Sequence, residues 1–448
     1  MRRARLLLPL LLLLLISAAA NAATAFPPIA YKHRVLPNGL EVYTVQDRSA
    51  PTVAIHVWYR VGSKNDPDGR SGFAHLFEHM MFKSTKNMPS EMMDRLTEDV
   101  GGFNNATTFD DATAYYEVVP SNYLETLLWA EADRLGTLTV DEANFKSERD
   151  VVKEEYRYRV LSPPYGRMFY AIEKNSYVKH PYKRPGIGSI EELDAASIED
   201  VQAFHRTFYR PDNAILIVVG DFEQQQADGW IDKYFTPIAK PDSTIPRVNV
   251  QEPAREEEKR ITEYAPNVPL PAIAFTWLAP SASDPDAVAL TIAATILGEG
   301  ESSRLNEKLV RGEIAQEIYT DADTREDLGL FVAFAIMGSD HQPAEAEKVI
   351  RAELASLAEK GPSAAELEKA KNLVITGALR ERETSNGKGF TLGQSIVLHK
   401  DPAFVNDGLA KLQAITPADV QRVVKKYLIE GKALVLTYLD ESAKGGAK

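Results

Sequence analysis

The sequence predicts an α+β fold of two homologous domains, each a mostly antiparallel sheet with helices packed on one side, joined by a linker. Three observations carry this. Residues 193–222, "LDAASIEDVQAFHRTFYRPDNAILIVVGDF", lie without a gap over residues 412–441, "LQAITPADVQRVVKKYLIEGKALVLTYLDE", at a constant offset of 219. Each copy reads as a hydroxyl N-cap (Ser197, Thr416), an amphipathic helix, a turn holding Asn213 or Gly431, and a β-branched apolar strand. So long a period excludes a solenoid and indicates duplicated domains. Within each half, strand patterns such as "GLEVYTVQD", "TVAIHVWYRVG" and "AILIVVGDF" alternate with helix patterns such as "YLETLLWAEADRL" and "AAELEKAKNLVITGALRE". Between the halves, residues 239–259, "AKPDSTIPRVNVQEPAREEEK", are rich in proline and charge and follow neither period, which marks a linker and a hinge.

At the start, "MRRARLLLPLLLLLLISAAANA" has a basic opening, an apolar run from Leu6 to Ile16 and a small-residue end. It reads as a secretory signal peptide, residues 1–22, cleaved after Ala22, so the mature chain is expected in the periplasm or outside the cell. The apolar run is too short for a permanent span, and nothing later approaches ~18 consecutive apolar residues. The expected domains are then 23–238 and 260–448. Removing residues 1–22 takes away Arg2, Arg3 and Arg5 and no acid, which moves the formal charge from −13 to −16. That balance argues against nucleic acid or an anionic membrane as partner. The chain has no cysteine, which excludes disulfides and thiolate metal sites; any metal must be held by His, Asp or Glu.

The chemistry concentrates in "SGFAHLFEHMMF", residues 71–82. On a helix, His75 and His79 lie one turn apart on one face with Glu78 beside them, Ser71 or Gly72 available as cap, and Phe73, Leu76, Phe77 and Met80 as packing. Zinc suits two imidazoles that lack only a third N or O ligand, and H-x-x-E-H is the reversed zincin pattern. Two histidines alone also fit a partly buried pair without metal, so a third ligand decides. Next, "GGFNNATTFDDATAYYEVV", residues 101–119, reads as a glycine turn followed by strand. Further on, "FKSERDVVKEEYRYRV", residues 145–160, is strongly helical and stops before Pro163-Pro164. It sets Glu148, Val151, Val152 and Glu155 at i, i+3, i+4 and i+7, although glutamates on such a helix are usually solvated.

These segments together resemble the pitrilysin family of zinc peptidases, which includes insulin-degrading enzyme and the mitochondrial processing peptidase. In that family a glutamate in a segment of the type E-R-x-x-V-x-x-E follows the inverted motif by some 76 residues, and His79 to Glu155 is 76. The resemblance implies one Zn2+ per chain on His75, His79 and Glu155, with Glu148 supporting the ligands and Glu78 moving the proton in peptide hydrolysis. It implies that Asn105, Ala106 and Thr107 belong to an edge strand that pairs with extended substrate. "HPYKRPGIGS", residues 180–189, is also family-like, with His180 read as structural.

The second half departs. "ILGEGESSRL", residues 296–305, stands where the motif would be and holds no histidine. By resemblance this half closes a chamber and supplies a substrate-contacting arginine and tyrosine. Arg311 is present, but Gln316 stands where the tyrosine belongs. Members of this length are half-size and close the chamber by pairing two chains. The resemblance therefore implies a catalytic subunit completed by a related chain bearing the Arg/Tyr pair, with a self-sufficient homodimer as the alternative. A non-catalytic core subunit of the same fold is the remaining reading, and the retained His75, Glu78, His79 and Glu155 weigh against it.

Overall fold

Two sheets organise residues 26–445, which the computed structural model describes; the expected signal peptide, residues 1–22, lies outside them. The first contains β1 (Lys32–Val35), β2 (Glu41–Gln46), β3 (Thr52–Tyr59), β4 (Phe103–Thr108), β5 (Thr113–Pro120) and β6 (Ala214–Gly220) in the order β1-β2-β6-β3-β5-β4. The second contains β7 (Lys259–Ala265), β8 (Ala272–Ala279), β9 (Ala315–Asp323), β10 (Gly329–Met337) and β11 (Leu434–Asp440) in the order β7-β11-β8-β10-β9. Only β2–β6 and β7–β11 pair parallel; the remaining ladders are antiparallel. Apart from β1, which has no counterpart, the two orders are the same, with β9 at the edge that β4 occupies in the first. The repeat found in the sequence is therefore a repeat of whole sheets.

The principal helices of the first half are α1 (Phe73–Met80), α2 (Leu124–Thr137), α3 (Glu142–Tyr156), α4 (Gly166–Ser176), α5 (Ile198–Phe208) and α6 (Gln224–Phe235). Those of the second are α7 (Pro285–Gly298), α8 (Pro343–Lys360), α9 (Ala364–Glu381), α10 (Ser385–Leu398) and α11 (Pro417–Val423). Ser197 and Thr416 cap α5 and α11 as expected, each in a reciprocal box with the aspartate three residues on, Asp200 or Asp419. One face of β3, Val53, Ile55, Val57 and Tyr59, joins a core with Phe73, Leu76 and Phe77 of α1, Leu127 and Leu128 of α2, Val152 of α3 and Phe204 of α5. Strand period 2 sends His56 and Trp58 to the other face.

That other face is covered by α10 from the second half. Gly389 lies against the His56 ring and Gly393 against the Trp58 indole, while Phe390 stands edge-on to both rings. The exchange is reciprocal: Met168, Ala171 and Ile172 of α4 pack on Ala272, Ala274, Leu436 and Tyr438 of the second sheet. Gly166 and Ser385, the first residues of the two exchanged helices, again stand 219 apart. A methyl group at Gly393 would overlap Trp58, so Gly393→Ala is expected to lower stability by about 1–3 kcal/mol. A fall in the thermal midpoint, with far-UV helicity kept, would show it.

Residues 239–258 form neither helix nor strand, in keeping with their composition. They are fastened to both halves by side-chain hydrogen bonds. Glu252 accepts hydrogen bonds from the amides of Val178, Lys179 and His180, and Arg255 donates to the carbonyls of Ser176, Thr276 and Lys432. The charged side chains satisfy backbone groups, three of them part-buried and three exposed. Among the described residues no helix is long and apolar enough to cross a membrane.

Candidate metal centre

Helix α1 is entered through Gly72, held at φ 91° where a side chain is strained and where a Cβ would press on the Ile187 carbonyl. Gly72 is the N-cap, as expected, and its carbonyl accepts from Leu76 N, but it has no side chain to satisfy the first amides. The buried carboxylate of Asp66 accepts from Gly72 N at 2.7 Å and Ala74 N at 2.8 Å, so the capping side chain comes from the preceding loop. Burial pushes Asp66 up to about 7, against the pull of those amides.

On α1, His75 and His79 share a face, their rings 4.9 Å apart between centroids. Helix α3, capped by Asp141 through Asn144 N, lies against α1 and buries Phe145, Glu148 and Val152. Glu148, Val152 and Glu155 form its inner stripe. Val151, expected on the same face, is 45% exposed, because the i+3 position falls on the rim of that stripe. Glu155 Oε2 is 3.1 Å from His79 Nε2 and 3.5 Å from His75 Nε2. Among the described residues, His75, His79 and Glu155 are the one group of three such side chains placed to hold a metal ion. Tetrahedral ligation at about 2.1 Å keeps ligand atoms ~3.4 Å apart, and the two separations from Glu155 lie near that spacing. Glu154, off the stripe, is exposed and pairs with Arg157.

The charges fit a cation too. Burial holds the His75 imidazole down at about 4, so it offers a lone pair. Burial also opposes a charge on His79, but its contacts with Glu148 and Glu155 raise it to about 9. Burial likewise opposes ionisation of Glu148 and Glu155, yet pairing with His79 holds both below their ordinary value. Two carboxylates that stabilise a proton here stabilise a dication equally well. Glu148 stands 3.7 Å from His79 Nδ1, the nitrogen turned away from Glu155, and is itself held by Lys83 Nζ at 2.8 Å. That is the carboxylate–histidine support typical of metal ligands. Arg159 Nε takes the other Glu155 oxygen, Oε1, at 2.8 Å.

Glu78 is half-buried beside the cluster, and burial raises its pKa. The Thr108 hydroxyl donates to its Oε2 at 2.5 Å. Thr108 ends β4, the sheet's edge strand, which carries Asn105, Ala106 and Thr107. Asn105 is exposed and its Oδ1 accepts from Ala106 N, whereas Ala106 is buried opposite Tyr115. Sequence reading missed Thr108, Lys83, Arg159 and Asp66. For Thr108 a signal existed, since period 2 sets it on the same face as Ala106.

Arg311 is not brought to this cluster. It lies on the second half, exposed, and pairs with Glu307 one turn back at 2.6 Å, an i, i+4 contact of its own helix. Helix α7, in the place of α1, carries no histidine. His180 is fully buried, its Nε2 3.4 Å from Asp327, as a structural histidine should be.

Residues 41–188 match the family model described as insulinase (peptidase family M16), and residues 195–374 match that of the peptidase M16 inactive domain. The chain belongs to peptidase family M16. The zinc protease PqqE of Helicobacter pylori is 33% identical to this M16 chain over 396 residues, covering 88% of this chain and 89% of that protein. The probable mitochondrial-processing peptidase subunit beta of Arabidopsis thaliana is 26% identical over 404 residues, covering 88% of this chain and 76% of that one. The crystal structure of a protease from Helicobacter pylori superimposes with a TM-score of 0.89 at 28% identity, over 92% of this chain and 100% of that one. At 18% identity and a TM-score of 0.80, a peptidase M16 inactive domain from Pseudomonas fluorescens shares the fold. The M16 chain is thus a zinc metalloprotease with the two-domain α+β architecture expected from its sequence.

Proposed function

We propose that this M16 chain is an exported zinc endopeptidase, active in the periplasm after loss of residues 1–22, that cleaves peptides or unfolded segments inside a closed chamber. The supporting observation is the convergence of His75, His79 and Glu155 with the separate carboxylate of Glu78 beside them. Residues 23–238 form the metal-binding domain, 239–259 the connection and 260–448 the metal-free domain.

His75, His79 and Glu155 hold one Zn2+, with Glu148 orienting His79 and Arg159 orienting Glu155. When bound, zinc polarises the scissile carbonyl and activates water. Glu78 keeps one oxygen on the Thr108 hydroxyl and uses the other to take the proton of the attacking water and deliver it to the leaving amine. Asn105, Ala106 and Thr107 offer the backbone of an edge strand to an extended substrate, which gives main-chain recognition with little demand on sequence.

Arg311 is a substrate contact that lacks the tyrosine of the family pattern, since Gln316 stands in that place. A related partner carrying an Arg/Tyr pair completes the chamber; a homodimer is the second arrangement. Digestion of an unstructured peptide mixture by the purified, zinc-loaded mature chain, read by mass spectrometry, tests both. Silence until a related subunit is added supports the heterodimer. Cleavage by the chain alone favours the homodimer, and silence under both conditions overturns the endopeptidase reading.

A further inference from the structure

The hairpin joining β4 to β5 carries two adjacent acids, and the second half of the chain grips both. Asp110 accepts from Ser63 Oγ at 2.5 Å and lies 2.9 Å from the Arg325 guanidinium. Arg325 is buried, pairs with Asp323 at 2.7 Å and lies over the rings of Tyr177 and Tyr182. Asp111 accepts from the Glu326 amide at 2.9 Å and from the Tyr182 hydroxyl at 2.5 Å, and meets Lys64 Nζ at 2.8 Å. Lys64 reaches Glu326 and Asp327 in turn. The first half adds two backbone bonds, from Ser63 N to Phe109 O and from Lys64 N to Asp110 O.

Only Phe109 separates Asp110 from Thr108, the residue whose hydroxyl meets Glu78. Consecutive Cα atoms lie about 3.8 Å apart, so Asp110 and Thr108 are at most about 7.6 Å apart along one short turn, and the position of the tip bears on that of Thr108. The hydrogen bond from Thr108 to Glu78 depends on both distance and alignment, and it weakens steeply as the angle departs from linearity. Asp110 also lines, with Glu173, Asp323 and Arg325, a cavity of about 260 Å³ at the junction of the halves, so on that side the tip is held by its polar partners and not by close packing.

We propose that the metal-free half is a working part of the catalytic centre: Arg325 and the Glu326 amide fix Asp110 and Asp111, and so place the Thr108 hydroxyl that orients Glu78. Asp110, Arg325 and Thr108 are positioning residues. The inference rests on the reading of Glu78 as proton carrier and gives the inactive domain a task within its own chain.

A double-mutant cycle on the zinc-loaded mature chain, in the assembly that digests peptide, tests it. Thr108→Val is expected to lower kcat by about tenfold or more with KM within about twofold, and Thr108→Ser to restore most of it. Asp110→Asn is expected to lower kcat several-fold in the wild-type background and to add nothing in the Thr108→Val background. Zinc content stays full in every variant. Arg325→Lys, which keeps the charge but loses the planar fork, repeats the measurement should Asp110→Asn unfold. Losses that multiply in the double variant, or a change confined to zinc content or melting, overturn the proposal. Glu78→Gln runs alongside: an active Glu78→Gln overturns the reading of Glu78, whereas an inactive one beside multiplying losses overturns the positioning role alone.

Discussion

Glu78→Gln is expected to lower kcat by about 10²–10⁴-fold while the enzyme keeps its zinc and its KM. The amide is isosteric and still accepts from Thr108, so the local geometry survives; what disappears is the capacity to take a proton. The metal stays because His75, His79 and Glu155 are untouched. Burial raises the Glu78 carboxyl, which moves it toward the range in which an acid can both accept and return a proton near neutral pH. Steady-state cleavage of a quenched peptide, with zinc measured on the same sample, checks the prediction. Near-normal turnover would remove Glu78 from the mechanism, and a parallel loss of zinc would recast it as a ligand.

The histidine pair was legible because helix geometry alone puts i and i+4 on one face. Glu155 was not legible on that ground: α3 reaches α1 through tertiary packing, and only resemblance to a family chose it over its neighbour Glu154. The structure gives the physical reason for the choice, since Glu155 lies on the buried stripe and Glu154 points to solvent. The capping side chain is Asp66, six residues before Gly72, because a loop folded back in a way no local pattern announces. The exchanged helices were half legible. The unbroken apolar run of β6, and that of β3 interrupted by His56, signal strands covered on both faces, but nothing in them says that the second cover comes from the other half. Gly389 and Gly393 read as weak points of a helix until the rings beneath them are seen.

Arg134→Met is expected to cost about 3–5 kcal/mol of stability, the largest loss foreseen for a residue outside the metal cluster. Arg134 lies on α2 with 1% of its side chain exposed, between Glu131 of the same helix and Glu117 of β5, and its guanidinium stacks over Tyr115. Methionine fills the space but leaves two buried carboxylates without a cation. Burial already holds Glu117 well above its ordinary value, with Glu131 adding to the effect and Arg134 opposing it. A carboxyl raised in the folded state contributes stability that is full below its unfolded pKa of about 4.3 and is lost as pH rises through the folded value. Losing Arg134 raises Glu117 further, so the deficit should be smaller at pH 5 than at pH 8, which thermal unfolding at the two values would reveal. A deficit that grows toward acid would contradict this assignment. Neutralising the trio together, with Glu117→Gln and Glu131→Gln added, should recover much of the loss, because the cost lies in the stranded charges. Glu117 faces Asn104 across the ladder that carries β4, so the same cluster braces the edge strand proposed to receive substrate.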